Sequence, residues 1–194
     1  MLDKELLEQA RKLQSESARV VEELGILKTL GRFSEPEIVG SATNGLMVLP
    51  DVDIRAYTES LDIRAVVGLL PQFATMPTIQ KVQFDNFREY RRDHRKDRIN
   101  FPHGYYIGLR SIQPSGEWKI DIWFGKREVF REFDEKELGQ LTDEQRVIIL
   151  RLKEIMKSEK VGYRGGAVSI DFYKAVLYHG VKTIDDFSRY LKRK

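Results

Sequence analysis

The start of the chain carries apolar residues at spacings of three, four and seven positions, with Glu, Lys and Arg filling most of the gaps. This spacing places the apolar side chains on one helical face and predicts an amphipathic helix over residues 3–30. Gly31 and Pro36 then interrupt the pattern and end the helix. The apolar positions are Leu6, Ala10, Leu13, Val20, Leu24 and Leu27.

The middle of the chain has the shorter patterns of β-strands. Residues 52–57 alternate apolar and polar side chains, as a strand with one buried face does. A helix is predicted from Ser60 to about Leu70, ending near Pro71. Strands are predicted over 38–39, 52–57, 78–84, 105–112 and 117–124, and the last two are joined by a hairpin turn at 113–116.

The last part of the chain is helical. Thr142 and Gln145 have the spacing of a capping box, which predicts a helix from there to about residue 159. Two shorter helices are predicted to begin at Ser169 and Thr183. The fold class is therefore α+β, with a first domain over 1–135 that holds the N-terminal helix and the sheet, and a helical segment over 136–194.

Composition and charge narrow the classes of protein. The chain has 194 residues, of which 41% are hydrophobic and 32% charged, as in globular domains. It has no cysteine, which excludes disulfides and thiolate metal sites. No apolar run has the length of a signal peptide or a membrane span, so we expect a cytoplasmic protein without membrane contact. The net charge of +3 fits either an ordinary surface or a preference for anionic ligands such as nucleotides.

Two aspartates stand out on the strand at 52–57 and just before it. Side chains alternate along a strand, so Asp51 and Asp53 lie on one face, while Val52 and Ile54 face the core. Two neighbouring carboxylates repel each other unless a cation lies near them, and Mg²⁺ takes carboxylate oxygens as ligands. The pair is either a pair of solvated strand residues or part of a metal site.

Two other fragments carry candidate chemistry. Gly40 and Ser41 follow a short strand and precede a predicted helix, where backbone N–H groups and a hydroxyl can bind phosphate. The alternative is a plain strand–turn–helix connection with a serine cap. Asp121 lies on the strand at 117–124 with Lys119 and Trp123, opposite an apolar face. It is either an exposed sheet residue or a third metal ligand.

In this order, the three fragments resemble the pattern of the nucleotidyltransferase superfamily, whose fold is shared by DNA polymerase beta and the aminoglycoside and lincosamide nucleotidyltransferases. The pattern appears here as Val39-Gly40-Ser41, Asp51-Val52-Asp53-Ile54 and Ile120-Asp121-Ile122. The resemblance covers residues 36–124 and implies a mixed β-sheet with flanking helices. It also implies catalytic, metal-binding roles for Asp51, Asp53 and Asp121, with two Mg²⁺ ions, and binding of the NTP phosphates by Gly40 and Ser41.

The resemblance implies transfer of a nucleoside monophosphate from an NTP, such as ATP, to an acceptor hydroxyl. The chain has Ala42-Thr43-Asn44 after the glycine turn, where antitoxin-like members have an Arg-rich turn and tRNA-terminal enzymes have an Arg-Asp signature. A small-molecule acceptor is therefore the first hypothesis. A non-catalytic, nucleotide-binding or antitoxin-like regulatory module is the second, and action on nucleic acid is a third. The long first helix could also pair two copies into a homodimer.

Other polar segments have two interpretations each. The basic run over 88–98 is either a solvated, locally paired surface or a phosphate- or acceptor-binding segment. His103 is either an exposed loop residue or a neighbour of the acceptor. The glycine-rich segment 162–166 is a helix–helix turn or a phosphate loop, and the Gly-Lys-Ser/Thr of a P-loop does not follow it.

Overall fold

We describe a computed structural model of the chain over residues 2–60, 62–88, 103–130, 138–157 and 166–193. Helices and strands are interspersed up to β5, and the regular elements over 138–157 and 166–193 are helices. The elements are α1 Asp3–Glu23, α2 Ile26–Leu30, β1 Glu35–Val39, α3 Ser41–Asn44, β2 Asp51–Tyr57, α4 Ile63–Val67, α5 Leu70–Ala74, β3 Ile79–Asn86, β4 Tyr105–Gln113, β5 Gly116–Gly125, α6 Asp143–Met156, α7 Ser169–His179 and α8 Ile184–Arg193.

The chain divides into two compact units, each built from separate stretches of sequence. The helical unit comprises Met1–Glu16, Gly40–Leu49 and Phe133–Lys194. The sheet unit comprises Ser17–Val39 and Pro50–Glu132. The predicted boundary near residue 135 falls between the described ranges and stays a prediction.

The sheet unit contains one mixed sheet of five strands in the order β1-β2-β5-β4-β3, as far as the described residues show. β2 and β5 run parallel, and the other neighbouring strands run antiparallel. The face predicted to be apolar is buried, since Val52, Ile54, Ile120 and Ile122 are all 0% exposed. The α+β class and the mixed sheet are confirmed.

Two helix predictions differ from the structure in the sheet-forming half of the sequence. The helix predicted over 3–30 is broken after Glu23, and a short second helix begins at Ile26. The helix predicted from Ser60 to Leu70 is instead two short helices, α4 and α5. Pro71 lies in the first turn of α5 rather than at a helix end, because a first-turn residue has no helical partner for its N–H.

The helical unit has its own apolar core. Phe172 and Phe187 stack in it with ring centroids 4.4 Å apart, and Ile149 and Leu150 from α6 are fully buried beside them in the same cluster. The capping box predicted at the start of α6 is present: the Thr142 hydroxyl accepts from the Gln145 N–H, and the Gln145 side chain accepts from the Thr142 N–H. None of the helices in the described ranges is long and apolar enough to cross a membrane.

Candidate functional site

The parallel pairing of β2 and β5 brings the predicted carboxylates of the sheet together. Asp53 lies beside Asp121 in the register, and Asp51 lies beside Lys119. Because alternate residues of a strand share a face, all four side chains lie on the side of the sheet opposite the apolar face. Asp121 is 8% exposed, so it is buried and not an exposed sheet residue.

Asp121 is held by two neighbouring donors. The Lys119 ammonium makes a short charged hydrogen bond to Asp121 Oδ2. The Tyr106 hydroxyl donates to Asp121 Oδ1 at 2.8 Å. Both carboxylate oxygens therefore accept a hydrogen bond from a protein side chain, which fixes the orientation of the group.

Gly108 makes the tyrosine contact sterically possible. It lies on β4, pairs with Asp121 in the register, and shares a sheet face with Tyr106. A Cβ at this position would be 2.4 Å from the Tyr106 hydroxyl oxygen and 2.9 Å from the ring carbon that bears it. The tyrosine side chain therefore occupies the space above Gly108, and this is how its hydroxyl comes within reach of Asp121.

The two aspartates of β2 are in a different electrostatic environment. Burial, followed by the charges of Asp51 and Asp121, raises the pKa of Asp53 from 3.8 to about 8. Burial also raises the pKa of Asp51 from 3.8 to about 6, although the nearby Lys119 ammonium partly opposes that rise. Asp51 Oδ2 is 3.5 Å from Lys119 Nζ. Within the described residues, Asp51 Oδ1 is buried without a hydrogen-bond partner.

The donors to Asp121 respond to the same negative charges. Burial and the Asp121 carboxylate raise the pKa of Tyr106 far above its usual value, so its hydroxyl keeps its proton. Burial alone would lower the pKa of Lys119, but the charges of Asp51 and Asp121 outweigh it and raise the pKa. Lys119 therefore stays an ammonium ion at neutral pH.

A divalent cation fits the β2 carboxylates. Mg²⁺ prefers oxygen ligands, and Asp51 and Asp53 supply carboxylates that are half-buried and insufficiently neutralised. The partnerless Oδ1 of Asp51 is the kind of buried acceptor that a cation satisfies. No group of three Asp, Glu, His or Cys side chains within the described ranges is arranged as a complete metal site. Lys119 contacts two of the three predicted ligands, Asp51 and Asp121.

Gly40 and Ser41 belong to the helical unit, and their local geometry is that of a tight turn. Gly40 has φ 74° and ψ −143°, a conformation that favours glycine, and it is the N-cap of the four-residue helix α3. The Thr43 hydroxyl and the Asn44 side-chain amide both donate to the Gly40 carbonyl at 2.9 Å. Ser41 is thus the first residue of the helix and not its cap. Phosphate binding by this turn stays a prediction.

No protein-family model matches the sequence, and no curated protein matches it either. Solved structures do match in shape. The poly(A) polymerase complex GLD-2–GLD-3 superposes with a TM-score of 0.60 at 12% identity over 91% of this chain. A cytoplasmic RNA terminal U-transferase gives 0.54 at 15% identity over 91%, and the Cid1 poly(U) polymerase with Mg and 3'-dATP gives 0.52 at 17% over 92%. All three have the fold of the nucleotidyltransferase superfamily.

The chain has a nucleotidyltransferase fold. It spans 57%, 54% and 56% of the lengths of these three neighbours, so it corresponds to little more than half of each. The resemblance stated from the Gly-Ser turn and the three aspartates is confirmed at the level of the fold. The roles of those residues stay predictions.

Three residues of this sheet could have been named as site residues but were not predicted from the sequence. Lys119 shares its strand face with Asp121, so alternation alone could have identified it as an ion-pair partner. Tyr106 and Gly108 could not be found in that way, because their relation to Asp121 depends on the register between β4 and β5. His103 is half-buried just before β4. Residues 89–98 of the basic run and 162–165 of the glycine-rich segment lie outside the described residues.

Proposed function

We propose that this chain is a Mg²⁺-dependent nucleotidyltransferase that transfers a nucleoside monophosphate from an NTP to a hydroxyl of a small-molecule acceptor. The observation that carries the proposal is the pair Asp51 and Asp53, half-buried on one face of the sheet of a nucleotidyltransferase fold, with raised pKa values. Such a pair is unfavourable for the fold itself and favourable for binding a cation. A cytoplasmic location and a homodimer remain predictions.

In the proposed reaction, the acceptor oxygen forms a bond to the α-phosphorus. The bond from that phosphorus to the oxygen between the α- and β-phosphates breaks, and pyrophosphate leaves. A bound divalent cation would polarise the phosphate and neutralise its charge. Asp51 and Asp53 would supply the oxygens that hold it. A carboxylate oxygen of Asp121 would accept the proton of the acceptor hydroxyl, with Tyr106 and Lys119 fixing its orientation. Gly40 and Ser41 would bind the terminal phosphates.

Calorimetry with Mg²⁺ and NTP tests the binding step. The wild-type chain is expected to bind Mg²⁺–NTP, and Asp53→Asn is expected to bind it much more weakly. Asp185→Asn makes the same chemical change at an exposed position of α8 and should leave binding unchanged. Equal binding by wild type and Asp53→Asn, or no binding by either, would exclude the proposed site.

A second candidate is nucleotidyl transfer to an RNA end, because three structural neighbours are named as a poly(A) polymerase complex, an RNA terminal U-transferase and a poly(U) polymerase. Incubation with α-labelled NTPs separates the two acceptors. Label on hydroxyl-bearing small molecules such as aminoglycosides or lincosamides, with none on RNA oligonucleotides, would support the first proposal. Stepwise lengthening of the oligonucleotides would establish the second. Binding to RNA should then weaken steeply with salt.

A non-catalytic regulatory module is the remaining alternative. Two structural neighbours are named as complexes, GLD-2 with GLD-3 and GLD-2 with RNP-8, the second at a TM-score of 0.52. Stoichiometric co-purification of a protein partner, together with no turnover of any NTP in its presence or absence, would favour this alternative. Turnover by the isolated chain would exclude it.

A further inference from the structure

Lys119 holds the position between two of the three carboxylates that the fold would offer to metal ions. We infer that Lys119 is a built-in cation of this site, so that the free chain binds one divalent ion through Asp51 and Asp53 rather than two. The inference rests on the proposed function, since it concerns the metal site of that reaction. It differs from the two-ion site that the family resemblance implies.

The contacts of Lys119 place its charge between the strands. Its Nζ makes a short hydrogen bond to Asp121 Oδ2 and is 3.5 Å from Asp51 Oδ2. The side chain is 23% exposed, so the ammonium is partly shielded from water and its attraction to the carboxylates is stronger than at an open surface. A second divalent ion bridging Asp51 and Asp121 would have to displace this group.

The remaining acceptor capacity lies on the β2 side. Both oxygens of Asp121 accept hydrogen bonds, one from Tyr106 and one from Lys119. Asp51 Oδ1 lacks a partner in the described part of the chain. An incoming ion would therefore find an unsatisfied oxygen on Asp51 next to the Asp53 carboxylate, while each oxygen of Asp121 already accepts one hydrogen bond and has the Lys119 ammonium nearby.

Charge balance leads to the same count. With Asp51, Asp53 and Asp121 all ionised, as metal binding requires, the three groups carry three negative charges, and Lys119 neutralises one of them, which leaves the charge of one divalent ion. Arg55, two residues after Asp53 on β2, also lowers the pKa of Asp53, but less than Lys119 does. Arg110 is paired with Lys119 in the register of β4 and β5, and it forms an ion pair with Glu117 at 3.3 Å. Arg110 also lowers the pKa of Asp51, but less than Lys119 does, and its charge is shared with Glu117.

The inference is tested by the number of Mn²⁺ ions bound per chain. The chain is brought to equilibrium with Mn²⁺ by dialysis without nucleotide, and the ions are counted by electron paramagnetic resonance. Wild type is expected to bind one ion and Lys119→Met two. Lys119→Arg keeps the charge and should bind one. Tyr106→Phe removes the other donor to Asp121 without changing charge and should also bind one. Asp53→Asn should bind none at concentrations that saturate the wild type.

The outcomes separate this inference from the proposed function. Two ions in wild type, or one in Lys119→Met, would overturn the role of Lys119 and leave the proposed reaction standing. Two ions in Tyr106→Phe would show that freeing Asp121, and not removing a charge, creates the second site. No ion in wild type would instead overturn the proposed metal site itself.

Thermal unfolding gives a second measurement that does not depend on catalysis. Lys119→Met removes the ammonium from three clustered carboxylates, so in EDTA it should melt at a lower temperature than wild type, and Mn²⁺ should raise its melting temperature more than that of wild type. If the variant does not fold in EDTA, it should fold when refolded with Mn²⁺. Failure to gain more from Mn²⁺ than wild type in both settings would overturn the inference.

Discussion

The two units use buried polar groups in different ways. In the helical unit they bind the backbone: the Lys153 ammonium donates to the Leu46 carbonyl at 2.6 Å, and an Arg146 guanidinium N–H donates to the Asn44 carbonyl at 2.6 Å. Asp171 accepts from the Val168 N–H at 3.0 Å. In the sheet unit, by contrast, Asp51, Asp53, Asp121, Lys119 and Tyr106 face one another.

The difference bears on the proposed metal site. A buried charge that satisfies a backbone carbonyl stabilises the local fold. Glu154 of the helical unit has one buried oxygen without a partner in the described residues, but its other oxygen is 3.6 Å from Lys157 Nζ. Asp51 and Asp53, gathered on one sheet face with Asp121, satisfy no backbone group in the described residues that would offset the mutual repulsion of the three carboxylates, which opposes folding. A group that weakens the fold is expected where a ligand compensates for it.

The largest expected effect is on catalysis in the sheet unit. Asp53→Asn should lower the rate of nucleotidyl transfer roughly a thousandfold, because losing a metal ligand removes several kcal/mol of transition-state stabilisation. The same change should leave the metal-free chain as stable as wild type or more so, since it removes a half-buried carboxylate whose pKa the fold raises. Transfer assays and urea unfolding in EDTA measure the two effects. A strongly destabilised variant would mean that Asp53 is structural.

In the helical unit, Lys153→Met should lower stability without affecting metal binding. It leaves the Leu46 carbonyl buried without its donor and should lower the free energy of unfolding by about 2 kcal/mol. The stabilisation of the chain by added Mg²⁺ should not change. Urea unfolding with and without Mg²⁺ measures both. A smaller response to Mg²⁺ in this variant would contradict the assignment of the metal response to the sheet unit alone.

The pH dependence of stability should also come from the sheet unit. The pKa values of Asp51 and Asp53 rise from 3.8 when unfolded to about 6 and about 8 when folded, so the folded chain retains protons that the unfolded chain has lost. Their contribution therefore lowers the free energy of unfolding as pH rises from about 4 to about 8. Mg²⁺ should remove this slope by displacing the protons. Asp53→Asn should flatten its upper part in metal-free unfolding experiments, and an unchanged slope would contradict the assignment.

The smallest expected effect concerns the hydrogen bond from Tyr106 to Asp121. Gly108→Ala should displace the Tyr106 side chain and lower the free energy of unfolding by about 1 kcal/mol, as Tyr106→Phe should by removing the same hydrogen bond. The double variant should lose little more than either single variant, because both changes remove one interaction. Additive losses would show that Gly108 acts independently of Tyr106.

The fold class and the order of the site fragments were predictable because they depend on local patterns. Alternation along β2 gave Asp51 and Asp53 a common face, and the capping-box spacing of Thr142 and Gln145 marked the start of α6. The hydrogen bond from Tyr106 to Asp121 was not predictable, because it depends on which strands pair and in which register. The break between α1 and α2 was missed because the apolar spacing continues through it.

The parallel register of β2 and β5 has a consequence for how the chain folds. These strands are distant in sequence, so their pairing must close a long loop and is slow to form. That same step brings the Asp53 carboxylate beside Asp121 and therefore gathers like charges as the central strands join. We expect the site to slow assembly of its own sheet, and protonation or a bound cation to speed refolding. The carboxylates proposed to bind the metal ion would then also lower the rate at which the sheet folds.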